Sequence, residues 1–310
     1  MRNAFIKSLH TIAKKDPNVI LLTADNGAIV FDDFRKECPD QFINCGISET
    51  TMVSVAAGLA SSGKIPFIYT IIPFLVMRTF EFIRNDICMH QLNVKIVGIG
   101  GGMRYSTLGP THHALEDIAL MRALPCMTVV CPADPTETGK VTNAIYDHPG
   151  PVYLRMGTTK EDAVYEKEYD YRLGRAVVLR DGSDVTLIGA GSVLKEVVAA
   201  AEELARQGIS ARVINMHTVK PLDQESVCRA ARETQAVLTV EEHNLDGGLG
   251  ESVAAALAEN HVGTVRFGRC GIRNNFCSGF GSHAHMKAKH GLGVADIVNK
   301  AAGLIRGNNR

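Results

Sequence analysis

Apolar residues along this chain fall into short continuous runs, separated by stretches in which they recur every three or four positions. In the first half the runs predict strands over residues 19–24, 41–45, 65–72, 94–99, 127–131 and 152–156. Between them Phe5, Ile6, Leu9, Ile12 and Ala13 keep helical spacing, and so do Met52, Val53, Ala56, Ala57 and Ala60. Continuous apolar strands alternating with amphipathic helices predict a parallel sheet covered on both faces. The alternation breaks at GTTKEDAVYEKEYDYR (157–172), which is charged and aperiodic, and then restarts. Strands are expected at 185–188, 211–215, 236–240 and 265–267, with helices at 193–207, 224–233 and 251–259. The expected fold class is α/β: two domains in series, residues 1–160 and 176–310, each a largely parallel sheet covered by helices, with a linker at 161–175.

The 310 residues carry 33 basic and 33 acidic side chains, so no basic face is implied, and neither nucleic acid nor an anionic membrane is an expected partner. The amino-terminal stretch has no uninterrupted apolar core, and no apolar run approaches the roughly 20 residues that span a bilayer. A soluble, cytoplasmic protein is the expectation. The 8 cysteines include no CxxC pair and read as reduced, mostly buried thiols.

The most informative string is GISETTMVSVAAGLASSGKIPF (46–67). It reads as a strand end, a tight turn and a helix whose first turn holds Glu49, with Ser48 placed to cap it. A carboxylate there complements the helix dipole and need do nothing more. Other strings stand in order along the chain: FLVMRTFEFIR (74–84), GPTHHALEDIALMRALP (109–125), PAD (132–134), PGPVYLRMG (149–157), HTVKPLD (217–223), VEEH (240–243) and GGLGES (247–252). Together they closely resemble the pyrimidine-binding and C-terminal domains of the transketolase family, over essentially the whole chain.

The resemblance implies a two-carbon ketol transfer that depends on thiamine diphosphate. The cofactor's reactive carbon loses its proton to the cofactor's own amino group, which requires N1′ of the pyrimidine ring to be protonated. A water-shielded carboxyl group at N1′ meets that need, and Glu49 is its counterpart here. Phe74 stands where the family stacks an aromatic on the pyrimidine. Ile71 takes a position that is often aromatic and offers an apolar contact. Asp25 matches an acidic residue close to the cofactor. His112 matches the histidine that hydrogen-bonds the transferred unit, while His113 reads as a surface group. Arg2 and Arg155 match arginines that grip a substrate phosphate, a task suited to a guanidinium fork.

Two departures stand out. Gly100 replaces a phosphate-contacting histidine, and Leu108 replaces an aspartate that reads a sugar hydroxyl. Glycines 100–102 are expected to open space there, with Arg104 and Tyr105 supplying new polar contacts to a sugar that is not the usual pentose phosphate. The family's Gly-Asp-Gly signature for Mg²⁺ (or Ca²⁺) and diphosphate is missing; Arg180-Asp181-Gly182 is the nearest approach. The metal and diphosphate would therefore be held by a partner, an N-terminal transketolase subunit, and two copies of each chain would form a heterotetramer. Rival readings are the beta subunit of a 2-oxo acid dehydrogenase, a piece of 1-deoxyxylulose-5-phosphate synthase, and a scaffold without activity. A dinucleotide site fails for want of the third glycine after Gly98-x-Gly100 and Gly189-x-Gly191. HAHMKAKH (283–290) lacks carboxylate or thiolate partners at ligand spacing and reads as an exposed helix.

Overall fold

A computed structural model describes residues 1–27, 29–158, 161–165 and 169–307. Its twelve strands are β1 Val19–Thr23, β2 Phe42–Asn44, β3 Ile65–Ile71, β4 Lys95–Ile99, β5 Thr128–Val130, β6 Val152–Met156, β7 Val177–Arg180, β8 Val185–Gly189, β9 Ala211–Asn215, β10 Thr218–Lys220, β11 Ala236–Asn244 and β12 Arg266–Ile272. They form two sheets. One has the order β10-β5-β6-β4-β3-β1-β2 and the other β12-β11-β8-β9-β7. Every pairing is parallel except those of β10 and β7, one edge strand in each sheet. The α/β class expected from the hydrophobic pattern is what the chain adopts.

β1, β4 and β6 are buried at every residue, because helices cover both faces of the sheet. Helix Arg2–Ala13 covers one face with Phe5, Leu9, Ile12 and Ala13. Helix Glu49–Ser61 covers the other with Met52, Val53, Ala56 and Ala57. Burying four apolar side chains of this kind is worth several kcal/mol per helix, on the order of 1–3 for each large one. Gly98, in β4, marks the closest approach: a Cβ there would lie 2.5 Å from Ile72 Cγ1. That contact seats the short helix Ile72–Val76 directly on the end of β3.

β10 lies late in the chain yet pairs with β5 of the first sheet, stitching the two halves together. Cys131 N–H donates to the His217 carbonyl (2.7 Å) and Gly191 N–H to the Cys131 carbonyl (3.0 Å) at the same seam. In the segment expected to link the halves, residues 159, 160 and 166–168 lie outside the described residues. The described part is tied down. Val164 and Tyr165 N–H groups donate to buried Asp134, and the stacked rings of Tyr165 and Tyr169 (4.1 Å) donate their hydroxyls to buried Glu137. All 8 cysteines are free thiols, and Cys126 is exposed. Among the described residues no helix is long and apolar enough to cross a membrane.

Candidate active site

In an open parallel sheet the strands' carboxyl ends and the loops that follow them frame a crevice. Four neighbouring strands deliver the expected groups to that edge. Asp25 follows β1, Glu49 follows β2, Ile71 and Phe74 close β3, and the loop carrying His112 follows β4.

Glu49 is the first residue of its helix and only 3% exposed, unusual for a carboxylate at a helix start. Ser48 occupies the cap position, but its hydroxyl donates to Thr51 Oγ1 (2.6 Å) instead of accepting a backbone N–H. Glu49 Oε2 accepts from Arg78 (2.7 Å), and the Arg78 guanidinium also lies over the Phe74 ring, 5.1 Å from its centroid. Phe74 in turn meets the His112 ring edge-on at 5.2 Å. Nδ1 of His112 pairs with Thr111 Oγ1 at 3.0 Å. Glu49, Arg78, Phe74 and His112 thus form one continuous chain of contacts. Asp25 stands apart on the exposed rim in a left-handed backbone conformation (φ 51°), exchanging hydrogen bonds with Asn44. Ile71, half-buried, ends β3 beside them.

The loop from Gly100 to Ala114 is closed by a two-way backbone pairing of Gly102 with Ala114. Here the structure corrects several expectations. The glycines do not open empty space. A Cβ on Gly100 would lie 2.1 Å from the Tyr105 ring, one on Gly101 3.1 Å from the Arg155 guanidinium, and one on Gly102 2.3 Å from the Glu242 carboxyl carbon. Each glycine makes room for a side chain of this chain. Arg155, expected at a substrate phosphate, is buried. Its Nε donates to Asp117 (2.7 Å) and its NH2 to the carbonyls of Ala114 and Glu242 (2.8 and 3.0 Å). Tyr153 donates to the same Asp117 oxygen (2.6 Å). Arg104, expected at the sugar, donates to Glu161 (2.8 Å) and to Nδ1 of His283 (2.9 Å). Both arginines brace the loop. His113 is 3% exposed, not on the surface, and burial lowers its basicity.

The helix at 283–289 exposes Ala284, His285, Ala288 and Lys289, and its other face is anchored. His283 Nε2–H donates to Glu242 (2.6 Å), which also accepts from Met103 N–H (2.7 Å), and Lys287 pairs with Glu196. Burial alone would raise the Glu242 carboxyl, but His283, Lys287 and the Met103 N–H hold it down to about 2. Among the described residues no group of three or more acidic, histidine or cysteine side chains is arranged to hold a metal ion. Arg2 lies at the foot of this region. Its backbone N–H is bonded to the Thr158 carbonyl (3.0 Å), and its Nε is buried without a partner among the described residues.

Two residues of the site, Arg78 and Glu242, do not announce themselves in the sequence. Arg78 follows Phe74 by four residues, the spacing that places two helical side chains on one face, and that signal could have found it. Nothing local in VEEH says which neighbour Glu242 reaches.

Fold and contacts together define a class: an open α/β sheet whose carboxyl edge carries a buried acid, an aromatic ring and an imidazole in one run of contacts. Comparison with known proteins narrows that class. Residues 1–160 match the family model for the transketolase pyrimidine-binding domain, and residues 174–297 match that for the transketolase C-terminal domain. The chain is 42% identical over 263 residues to one of the subunits of the apulose-4-phosphate transketolase of Phocaeicola vulgatus, covering 84% of each. It is 38% identical over 302 residues to the 6-deoxy-6-sulfo-D-fructose transketolase subunit SqwH of a Clostridium species, covering 97% of this chain and 93% of that one. A solved split-gene transketolase, an inactive β4 tetramer, aligns with a TM-score of 0.89 at 37% identity, covering 98% of this chain and 97% of its own. The transketolase of Campylobacter jejuni shares the fold (TM-score 0.81, 20% identity), with 97% of this chain matched to 46% of that one. The chain belongs to the transketolase family, the thiamine-diphosphate-dependent transferases of two-carbon ketol units, and it resembles the subunits of split members in length and fold.

Proposed function

We propose that this chain is one half of a two-chain transketolase, in which Glu49 and Phe74 hold the aminopyrimidine of thiamine diphosphate and a partner subunit grips the diphosphate and its Mg²⁺ or Ca²⁺. The observation that carries the reading is the position of the Arg78 guanidinium. A planar cationic group lies over Phe74 and donates an N–H to buried Glu49. A pyrimidine ring protonated at N1′ would make the same two contacts. Arg78 is about half exposed (51%), so its guanidinium can swing into water, and the incoming ring would replace it as the partner of buried Glu49.

When bound, thiamine diphosphate supplies the nucleophilic carbon that takes a two-carbon unit from a ketose and hands it to an aldose. Glu49 holds a proton at N1′ in a site closed to water. Phe74 and Ile71 give the ring an apolar wall. His112, fixed by Thr111 and the edge of Phe74, reaches toward the transferred unit with an N–H suited to a developing alkoxide. Asp25 is a polar group on the cofactor side of the rim. Arg155 and Arg104 are assigned to bracing the loop that carries His112, and of the expected phosphate contacts Arg2 is retained.

The partner is supported by what the crevice rim exposes. Ile29 (84%), Ile47 (78%), Met77 (39%) and Leu108 (53%) follow the ends of four adjacent strands. Apolar groups clustered at a site mouth mark a surface that another chain covers. A second chain there would also exclude water from Glu49. The inactive β4 tetramer of the related split transketolase fits a subunit unable to work alone. A heterotetramer, two copies of each chain, is the assembly we infer. The sugars proposed are anionic and non-standard, in line with the relatives named for apulose 4-phosphate and 6-deoxy-6-sulfo-D-fructose.

Glu49→Gln in the reconstituted complex is the test. Loss of the shared proton should lower turnover by about 10²–10⁴-fold while the subunits still assemble. Turnover equal to wild type would defeat the assignment. Assays of the wild-type complex on xylulose 5-phosphate with ribose 5-phosphate check the sugar proposal, which ordinary full-speed turnover would overturn.

A further inference from the structure

The string HAHMKAKH (283–290) has no part in the reaction proposed above, yet its first residue reaches across to the loop that carries His112. His283 opens a helix of the C-terminal half, and its side chain is 10% exposed. Nδ1 accepts from Arg104 (2.9 Å), and Nε2–H donates to Glu242 (2.6 Å). A guanidinium can only donate, so these contacts fix the ring as one acceptor and one donor. The same Oε1 of Glu242 accepts from Met103 N–H (2.7 Å). One imidazole thus holds two successive residues of the loop, Arg104 directly and Met103 through a carboxylate that is 2% exposed. Arg104 is shared with Glu161 (2.8 Å), so without the imidazole it would turn to that carboxylate.

Other contacts from the C-terminal half continue along the loop. Ser106 Oγ–H donates to the Gly281 carbonyl (2.7 Å), and a Cβ on Gly109 would lie 3.8 Å from Phe280 Cε1. The first half holds the loop at its ends: Gly101 N–H donates to the Met156 carbonyl (2.9 Å), and the Ala114 carbonyl accepts from Arg155 (2.8 Å). Between Met103 and Gly109 the loop leans on residues 242 and 280–283. That stretch leads to the imidazole of the site. Tyr105, next after Arg104, stands edge-on to His112 with ring centroids 6.3 Å apart. A slip at Met103 and Arg104 moves the ring against which His112 rests.

We propose that His283 is a positioning residue: by pinning Met103 and Arg104 to the C-terminal half, it sets where the His112 imidazole stands. The claim about His112 rests on the transketolase reading; the pinning rests on the contacts alone. The second domain thereby takes part in the site without touching the transferred unit. With the ring gone, Glu242 is left as a buried charge short of a partner and Arg104 turns to Glu161, so the start of the loop shifts away from the C-terminal half. The role needs an acceptor and a donor on one side chain. A glutamine amide offers that pair, and a leucine offers neither.

The test begins with the full chain alone, by amide hydrogen exchange. His283→Leu should speed exchange at Met103 about tenfold, and His283→Gln should leave it near wild type. Unchanged exchange in His283→Leu would overturn the pinning. In the complex with its partner subunit, His283→Leu should lower kcat about 10–10²-fold with KM within about threefold, and His283→Gln should recover most of the loss. In a His112→Ala background the leucine change should cost no further turnover, since it acts through the imidazole. A merely structural residue would lower turnover in both backgrounds, and equal losses would sink the assignment. Wild-type turnover in His283→Leu would do the same. Should that variant fail to fold, His283→Leu with Glu242→Gln removes the stranded charge and should show the same fall in kcat; no fall there counts against the assignment. A wild-type complex that transfers no ketol unit, while exchange at Met103 responds as expected, would defeat the transketolase reading and leave the pinning intact.

Discussion

At the mouth of the crevice Arg78 donates to Glu49; at the root of the histidine loop Arg155 donates to Asp117, and both contacts measure 2.7 Å. The surroundings differ. The Arg78 side chain is 51% exposed and Glu49 4%, whereas Arg155 and Asp117 are 5% and 0% exposed. Asp117 takes a further bond from Tyr153, and Arg155 donates to two backbone carbonyls. A pair whose cation is half exposed can trade that cation for another at little cost, because the guanidinium returns to water while the buried carboxylate keeps a partner. A fully buried pair cannot, because breaking it strands a charge. On the proposed reading, the contrast separates the carboxylate that would receive a ligand from the one that holds the loop in place for it.

The contrast breaks most readily at its buried end. Asp117→Asn should destabilise the chain by about 3–5 kcal/mol, because Arg155 would be left charged with only carbonyls to meet it. Urea unfolding measures this, and a loss below about 1 kcal/mol would show the two pairs to be equivalent. A second effect comes from imidazoles packed behind the loop. His243 accepts from Ala119 N–H (3.4 Å) beneath the helix that starts at Asp117, and His217 lies at the seam between the sheets. Burial lowers each to about 4, well under the ordinary imidazole value. In the folded chain they stay neutral while the unfolded chain takes up protons below about pH 6.5, so stability is lost as pH falls from there toward 4. The loss should reach about 3 kcal/mol per imidazole at the acid end, and His217→Asn should flatten roughly half of that slope in melting curves. An unchanged slope would mean the imidazoles are not held neutral.

How much of the molecule is legible in its sequence depends on whether a contact is local. The runs at 152–156 and 211–215 give strands with the bounds observed, and the spacing of Phe5, Leu9 and Ile12 gives the buried face of the first helix. Edge strands β7 and β10 do not show in the pattern. β10 is three residues long and pairs across the seam with β5, which no window of sequence can show. In the candidate site, the GISE turn, Phe74 and GPTHH are short strings that could be picked out locally, and the fold brings Glu49, Phe74 and His112 into one run of contacts through Arg78. Arg155 and Arg104 mislead because an arginine's partner is chosen by the fold: Asp117 is 38 residues from one and Glu161 57 from the other. Gly100 misleads for the same reason, since a missing side chain looks like empty space until the Tyr105 ring is found in it.

The smallest predicted effect is the sharpest on the contrast itself. If Arg78 only stands in for the pyrimidine, then Arg78→Met removes a competitor and nothing more. Affinity of the complex for thiamine diphosphate should rise by up to about fivefold, the equivalent of the 0–1 kcal/mol such a pair contributes. The gain should shrink at high salt, because added ions already weaken the contact being removed. A cofactor titration of wild type and variant at two salt concentrations reads both quantities. Tenfold weaker binding would mean that Arg78 stays on Glu49 with the ring in place. The mouth pair would then be as fixed as Arg155 with Asp117, and exposure would have failed as a guide to which carboxylate meets the ligand.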